Sequence, residues 1–152
     1  MGKVTGMRRL GVVALVVVLA AACGDGMTAE ETTAILRQDG TLLSGLDLTG
    51  KTAGPGRDAS GCPAGTEHGV YTITGDLPPG ADPRQGATAV MSALASDFHS
   101  MGYQAEEGPG TQFGMNVSVL KKESLGIVFT VTIRPSRPNV EILGKTECLP
   151  AT

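Results

Sequence analysis

The chain has 152 residues, with 12 Lys and Arg against 15 Asp and Glu, a formal net charge of −3 at pH 7. That length suits one domain of ordinary size and leaves little room for two. Hydrophobic residues make up 41% of it, but there is no Trp and only two Tyr and three Phe, so any core is built mainly from aliphatic side chains.

Lys3, Arg8 and Arg9 precede an uncharged apolar run from Leu10 to Ala22, and Cys23 follows directly. A basic start and a short apolar stretch are the layout of a secretory signal peptide. As helix, at 1.5 Å per residue, the run reaches roughly 20 Å, short of the ~30 Å hydrocarbon core of a bilayer. It is expected to be cut away rather than kept as a membrane span.

Leu19, Ala20, Ala21 and Ala22 place small side chains before Cys23. The stretch resembles the lipobox of bacterial lipoproteins, with its leucine four rather than three positions ahead of the cysteine. The resemblance implies that residues 1–22 are removed as a signal peptide, that Cys23 carries a diacylglycerol thioether with palmitate-type chains, and that residues 23–27 are a lipidated tether. It also implies a location on the extracytoplasmic face of the cell membrane. Two acyl chains, at about 0.8 kcal/mol per buried CH₂, anchor a protein stably without a spanning helix.

Losing residues 1–22 removes three basic residues and no acidic one, leaving nine against 15 and a net charge of −6. An acidic chain whose one remaining basic doublet is Lys121 and Lys122 is a poor binder of nucleic acid. It equally lacks the polybasic patch that would hold it to anionic lipid, so the membrane attachment is expected to run through the lipid itself.

With Cys23 lipidated, Cys62 and Cys148 are the two cysteines left. In an exported chain such a pair reads as one disulfide. Closing the segment 62–148 would stabilise the fold by about 4.5 kcal/mol through the entropy of the unfolded chain. Against a metal site stand the lack of CxxC spacing and of a histidine placed to complete a four-ligand set.

Thr28 to Glu31 reads as a capping box opening a short helix through Ala34, Ile35 and Leu36, with Gly40 as its stop. Residues 44–66 hold Gly45, Gly50, Gly54, Gly56, Gly61 and Gly65 with Pro55 and Pro63. No periodicity survives there, which predicts a long loop. Val70 to Thr74 is β-branched and predicts a strand. Asp82, Pro83 and Gln85 are three coincident helix-start signals, and Ala87, Val90, Met91, Leu94, Phe98 and Met101 form an apolar stripe ended by Gly102.

Beyond Gly108, Pro109 and Gly110, Phe113, Met115, Val117 and Val119 alternate with Gln112, Gly114, Asn116 and Ser118. Leu125, Ile127, Phe129, Val131 and Ile133 alternate in the same way, and a last strand runs from Val140 into Cys148. These elements predict an α+β two-layer sandwich, an antiparallel three- to four-stranded sheet covered on one face by an amphipathic helix. In that layout residues 28–61 are a short helix and Gly-rich loop ahead of a disulfide-closed α+β domain at 62–148. The disulfide favours strand 69–74 and the last strand as neighbours.

Taken with the lipobox, the two further cysteines and the terminal run Thr146, Glu147, Cys148, Leu149, Pro150, this layout resembles the small lipoproteins of actinobacteria, many without known activity. The resemblance carries no catalytic residue over to this chain. Glu67 with His68 and Asp97 with His99 are its carboxylate–histidine pairs, and neither holds a metal or orients a nucleophile without a third partner. No GxSxG, SxxK, HExxH or phosphate-cradling glycine motif occurs, and Asp47, Asp58, Asp76 and Asp82 lack the spacing of a calcium loop. No catalytic, cofactor or metal residue is assigned.

The polar side of the sheet, with Gln112, Asn116, Ser118, Thr130, Thr132 and Glu141, is the expected contact surface. The leading expectation is a non-enzymatic, membrane-anchored binding or envelope-accessory module whose partner is another envelope protein. The rivals are a small hydrolase or metal-dependent enzyme using His68, His99 or a nearby Asp or Glu, and a carrier holding a hydrophobic ligand between helix and sheet.

Overall fold

The computed structural model describes residues 27–79, 83–106, 111–112 and 115–151. The signal and lipidation stretch through Cys23, the Asp82 cap, the 108–110 turn and Phe113 lie outside the described residues.

Helix α1, Ala29–Leu43, opens on the capping box: the Glu31 amide donates to the Thr28 hydroxyl at 3.2 Å, and the Thr28 amide donates to Glu31 Oε2 at 2.8 Å. That bond to the Thr28 amide, followed by the hydroxyl's, holds the Glu31 carboxyl below its ordinary range. Gly40 does not stop the helix, which continues to Leu43. It is buried against Tyr71, and a Cβ there would overlap the aromatic ring. Its role is close approach between helix and sheet, at some cost in helix propensity.

Strands β1, Thr49–Asp58, and β2, Thr66–Asp76, pair antiparallel, so most of the expected 44–66 loop is sheet. Helix α2, Pro83–Ser100, follows, and Gly102 leaves it at a φ of 84° as a C-terminal glycine should. Then come β3 (Gln104–Glu106), β4 (Thr111–Gln112), β5 (Met115–Lys122), a single 3₁₀ turn (Glu123–Leu125), β6 (Ile127–Ile133) and β7 (Val140–Pro150).

The seven strands form one antiparallel sheet in the order β1-β2-β7-β6-β5-β3, with β4 also pairing β5 on the edge that β3 occupies. The sheet is thus six strands across, and the fold is mostly β with two helices. This corrects the expected three- to four-stranded, single-helix sandwich. The extra width comes from β1, β3 and β4, whose pairing is carried by the backbone and needs no alternating side chains. The expected adjacency of β2 and β7 is present, and β5, β6 and β7 follow one another as an antiparallel meander.

Both helices cover the same face. α1 lies over β2 and β7, and Leu36 reaches the place where a Gly144 Cβ would stand, 2.7 Å away. α2 buries Ala87, Val90, Leu94 and Phe98, as its stripe predicts. Phe98, Tyr103 and Phe129 meet with ring centroids 5.3–5.4 Å apart. Ile73, Val131, Ile142 and Ile127 are fully buried beneath them in one cluster, each stabilising the fold by about 1.5–3 kcal/mol relative to exposure.

Candidate functional site

The sheet face turned away from the helices defines the first feature. Register places Val117, Thr132, Glu141 and Thr74 in one row across β5, β6, β7 and β2. Val119, Thr130, Leu143 and Thr72 form the next, and Lys121, Val128, Lys145 and Val70 a third. All twelve are half-buried, shielded by neighbours in the sheet and covered by no described element. The surface is aliphatic and threonine-rich, and its charges are paired: Lys121 with Glu106 at 2.6 Å, Arg134 with Glu141 at 3.2 Å and Lys145 with Asp58 at 2.6 Å.

The expected contact surface is corrected on β5. Ser118 pairs Val131 and so takes the helix side, while Val117 and Val119 stand opposite Thr132 and Thr130 on the open side. The buried Leu120 sets this phase by pairing Phe129. Thr130, Thr132 and Glu141 are on the open face as expected; the side chains of Gln112 and Asn116 lie outside the described residues.

The second feature is the corner where this face meets the disulfide. Cys62 and Cys148 are joined with their Cα atoms 5.6 Å apart, tying the β1–β2 turn to the end of β7. Along β2, His68 shares the open side with Val70 and Thr72. On β7 the register slips between Lys145 and Cys148, opposite Val70 and His68 respectively. That bulge adds one residue and turns Cys148 to the same side as Lys145, beside His68. Side-chain hydrogen bonds fasten it: the buried Thr146 hydroxyl accepts from the Gly69 amide at 2.9 Å and donates to the Glu147 carbonyl at 2.7 Å.

His68 Nδ1 lies 2.7 Å from the Thr146 carbonyl oxygen, so Nδ1 carries the proton and donates it. In the neutral ring that leaves the lone pair on Nε2, 3.8 Å from Cys148 Sγ. The Asp58 carboxyl, the register partner of His68 on β1, is held far below its ordinary range by its hydrogen bond to Lys145 and then by Ser60. A shallow depression of about 320 Å³ beside this corner is lined by His68, Val128, Thr130, Leu143 and Lys145 among others.

Sequence adjacency proves a poor guide to the other candidates. Glu67 points to the opposite side of β2 from His68 and pairs Arg57 at 2.7 Å. His99 and Asp97 are exposed on α2, in the helix layer, so the fold does not bring His68 and His99 into one site. Asp76 accepts from the Asn139 amide at 3.1 Å and braces the β6–β7 turn. What the sequence missed is that His68 meets Cys148 across the sheet, which depends on a bulge without a local signature.

No helix among the described residues is long and apolar enough to cross a membrane. No protein-family model, curated protein or solved structure matches this chain. What fold and site define together is a mostly-β, single-sheet domain, stapled by one disulfide, with both helices on one face and an aliphatic, threonine-lined sheet face on the other.

Proposed function

We propose that this protein is an extracytoplasmic lipoprotein, anchored through Cys23 after removal of residues 1–22, that acts as a non-enzymatic binding module for another protein of the cell envelope. The open sheet face carries the reading. Val70, Val117, Val119, Val128 and Leu143 offer β-branched and aliphatic contact area, threonines between them offer hydroxyls, and the ion-paired rim limits the desolvation cost of docking. The Cys62–Cys148 disulfide agrees with an oxidising compartment. A lipid tether raises the effective concentration of a modest binder at the membrane surface.

His68 and His99 lie in different layers, so they do not combine into one catalytic pair for the hydrolase or metal-enzyme rival. The filled cluster of Leu36, Leu94, Phe98, Phe129 and Ile142 between the layers favours binding over a ligand carrier.

Palmitate labelling of the full chain in cells tests the anchor: labelling is expected to disappear in Cys23→Ala, and unchanged labelling overturns it. A photocrosslinking residue at Leu143 or Thr130 tests the surface. One discrete envelope-protein adduct is expected there and none from the same residue at the exposed Ser96 of α2. Equal adducts from both sides, or none from either, overturn the assignment of the open face.

A further inference from the structure

Three ligand atoms of metal-binding type converge at the β2–β7 corner: Cys62 Sγ, Cys148 Sγ and His68 Nε2 all lie within 4.8 Å of one another, each on a partly exposed residue. We propose that they form a redox-gated Zn²⁺ site, closed while the disulfide stands and opened to a Cys₂His ligand set when a dithiol reduces it. This goes beyond docking on the open face and does not depend on it.

Three observations carry the proposal. First, the imidazole is already in the tautomer a metal needs. The Thr146 carbonyl takes the Nδ1 proton at 2.7 Å, which fixes the ring and leaves Nε2 as the donor atom. A backbone carbonyl on the far nitrogen is the usual outer support of a metal-bound histidine.

Second, the spacing suits zinc. Tetrahedral Zn²⁺, with Zn–S near 2.3 Å and Zn–N near 2.0–2.1 Å, sets sulfur and nitrogen roughly 3.6 Å apart and its two sulfurs roughly 3.8 Å apart. Cys148 Sγ and His68 Nε2 stand at 3.8 Å, so that edge of the tetrahedron is in place.

Third, the ligand that must move sits on the part best able to do so. Cys62 rides an exposed turn between β1 and β2, flanked by Gly61 and Gly65 at positive φ. Cys148 and His68 stay fixed by the bulge and its Thr146 hydrogen bonds. Lys145 beside the site is paired with Asp58 at 2.6 Å, so its charge is offset where the metal would sit.

The chemistry balances. The dithiol gives two electrons and two protons and becomes a disulfide, while the Cys62–Cys148 bond breaks to two thiols. Zn²⁺ then displaces both thiol protons and binds two thiolates and Nε2, with water in the fourth position.

The test uses the full chain in detergent, oxidised or reduced under anaerobic conditions and freed of reductant, with Zn²⁺ alone as ligand and a chromophoric chelator as competitor. The reduced chain is expected to bind one Zn²⁺ at least 100-fold more tightly than the oxidised chain. Co²⁺ in its place is expected to give thiolate charge-transfer bands and the visible bands of a tetrahedral ion. His68→Ala should weaken reduced-state binding at least tenfold, Cys62→Ala should do so from the sulfur side, and His99→Ala should leave it unchanged. Equal uptake by both redox forms, unchanged affinity in His68→Ala, or a reduced chain that loses its sheet signal and does not regain it with Zn²⁺ overturns the proposal.

Discussion

The hydroxyl of Tyr103 donates a 2.8 Å hydrogen bond to Asp39 Oδ2, joining α1 to the segment that leaves α2. Both residues are buried, and Lys122 Nζ approaches the same carboxylate oxygen at 3.5 Å while lying 5.1 Å from the centre of the Tyr103 ring. One carboxylate therefore ties α1 to β5 and to the aromatic cluster of Phe98, Tyr103 and Phe129. The tie links α1 to the segment that follows α2 on the face both helices cover.

Replacing Asp39 with Ala would leave a buried hydroxyl and a half-buried ammonium without their partner. The expected loss is about 2–4 kcal/mol of unfolding free energy, read as a lower urea midpoint at unchanged slope. Asp39→Asn keeps an acceptor for the Tyr103 hydroxyl and is expected to cost less than half as much. Equal losses for the two substitutions would show that the charge, rather than the hydrogen bond, holds the junction.

Alkaline stability should report the same contact. Burial pushes the Tyr103 phenol far above its ordinary value, and the hydrogen bond and charge of Asp39 push it further. An unfolded chain releases the phenol proton near pH 10, whereas the folded chain keeps it. Above that pH the unfolded state binds fewer protons, so stability falls as pH rises; below it the contribution is complete. Urea midpoints for wild type and Tyr103→Phe between about pH 9 and 11 are expected to diverge in slope, the variant losing less stability on the alkaline side.

How much of this was legible depends on where the information sits. The Thr28–Glu31 capping box, the α2 stripe and the β6 alternation are local patterns, the Cys62–Cys148 pair follows from the number of cysteines, and each appears in the fold. β1 was not legible. As an edge strand with Gly50, Gly54, Pro55 and Gly56 it buries no side chain fully, so its strand character lies only in pairing with β2. The phase of β5 misled because Val117 and Val119 face the open side, and only the contact of Leu120 with the core reveals it. His68 was visible as a residue but not as a neighbour of Cys148, since that proximity is made by a tertiary bulge.

Glycines separate local from tertiary information most cleanly. In an exposed helix Gly40→Ala would gain about 1 kcal/mol. Here the new methyl would run into Tyr71, so a net loss of about 1–3 kcal/mol is expected. At Gly54, on the edge strand, a Cβ meets open space, and Gly54→Ala is expected to stay within about 0.5 kcal/mol of wild type. Thermal unfolding of the two variants side by side checks the contrast, and a stabilised Gly40→Ala would mean that helix and sheet do not approach so closely.

Thr146 offers the sharpest probe of the His68 corner, because its hydroxyl serves two main-chain groups at the bulge, the buried Gly69 amide and the part-buried Glu147 carbonyl. Thr146→Val keeps the shape but removes both bonds, leaving the Gly69 N–H without an acceptor at the position between His68 and Val70. A loss of about 1–3 kcal/mol is expected, with faster hydrogen exchange concentrated at Gly69. Thr146→Ser retains the hydroxyl and gives up one methyl, so it is expected to lose about 1 kcal/mol and to leave exchange at Gly69 slow. The carbonyl that orients His68 belongs to Thr146 itself, so a bulge loosened by valine should also free the imidazole from its fixed tautomer. NMR of the ring nitrogens reads this directly: a single Nδ1–H form in wild type and in the serine variant, and a mixture of tautomers in the valine variant. If all three keep one tautomer, the corner is held by the disulfide and not by the bulge.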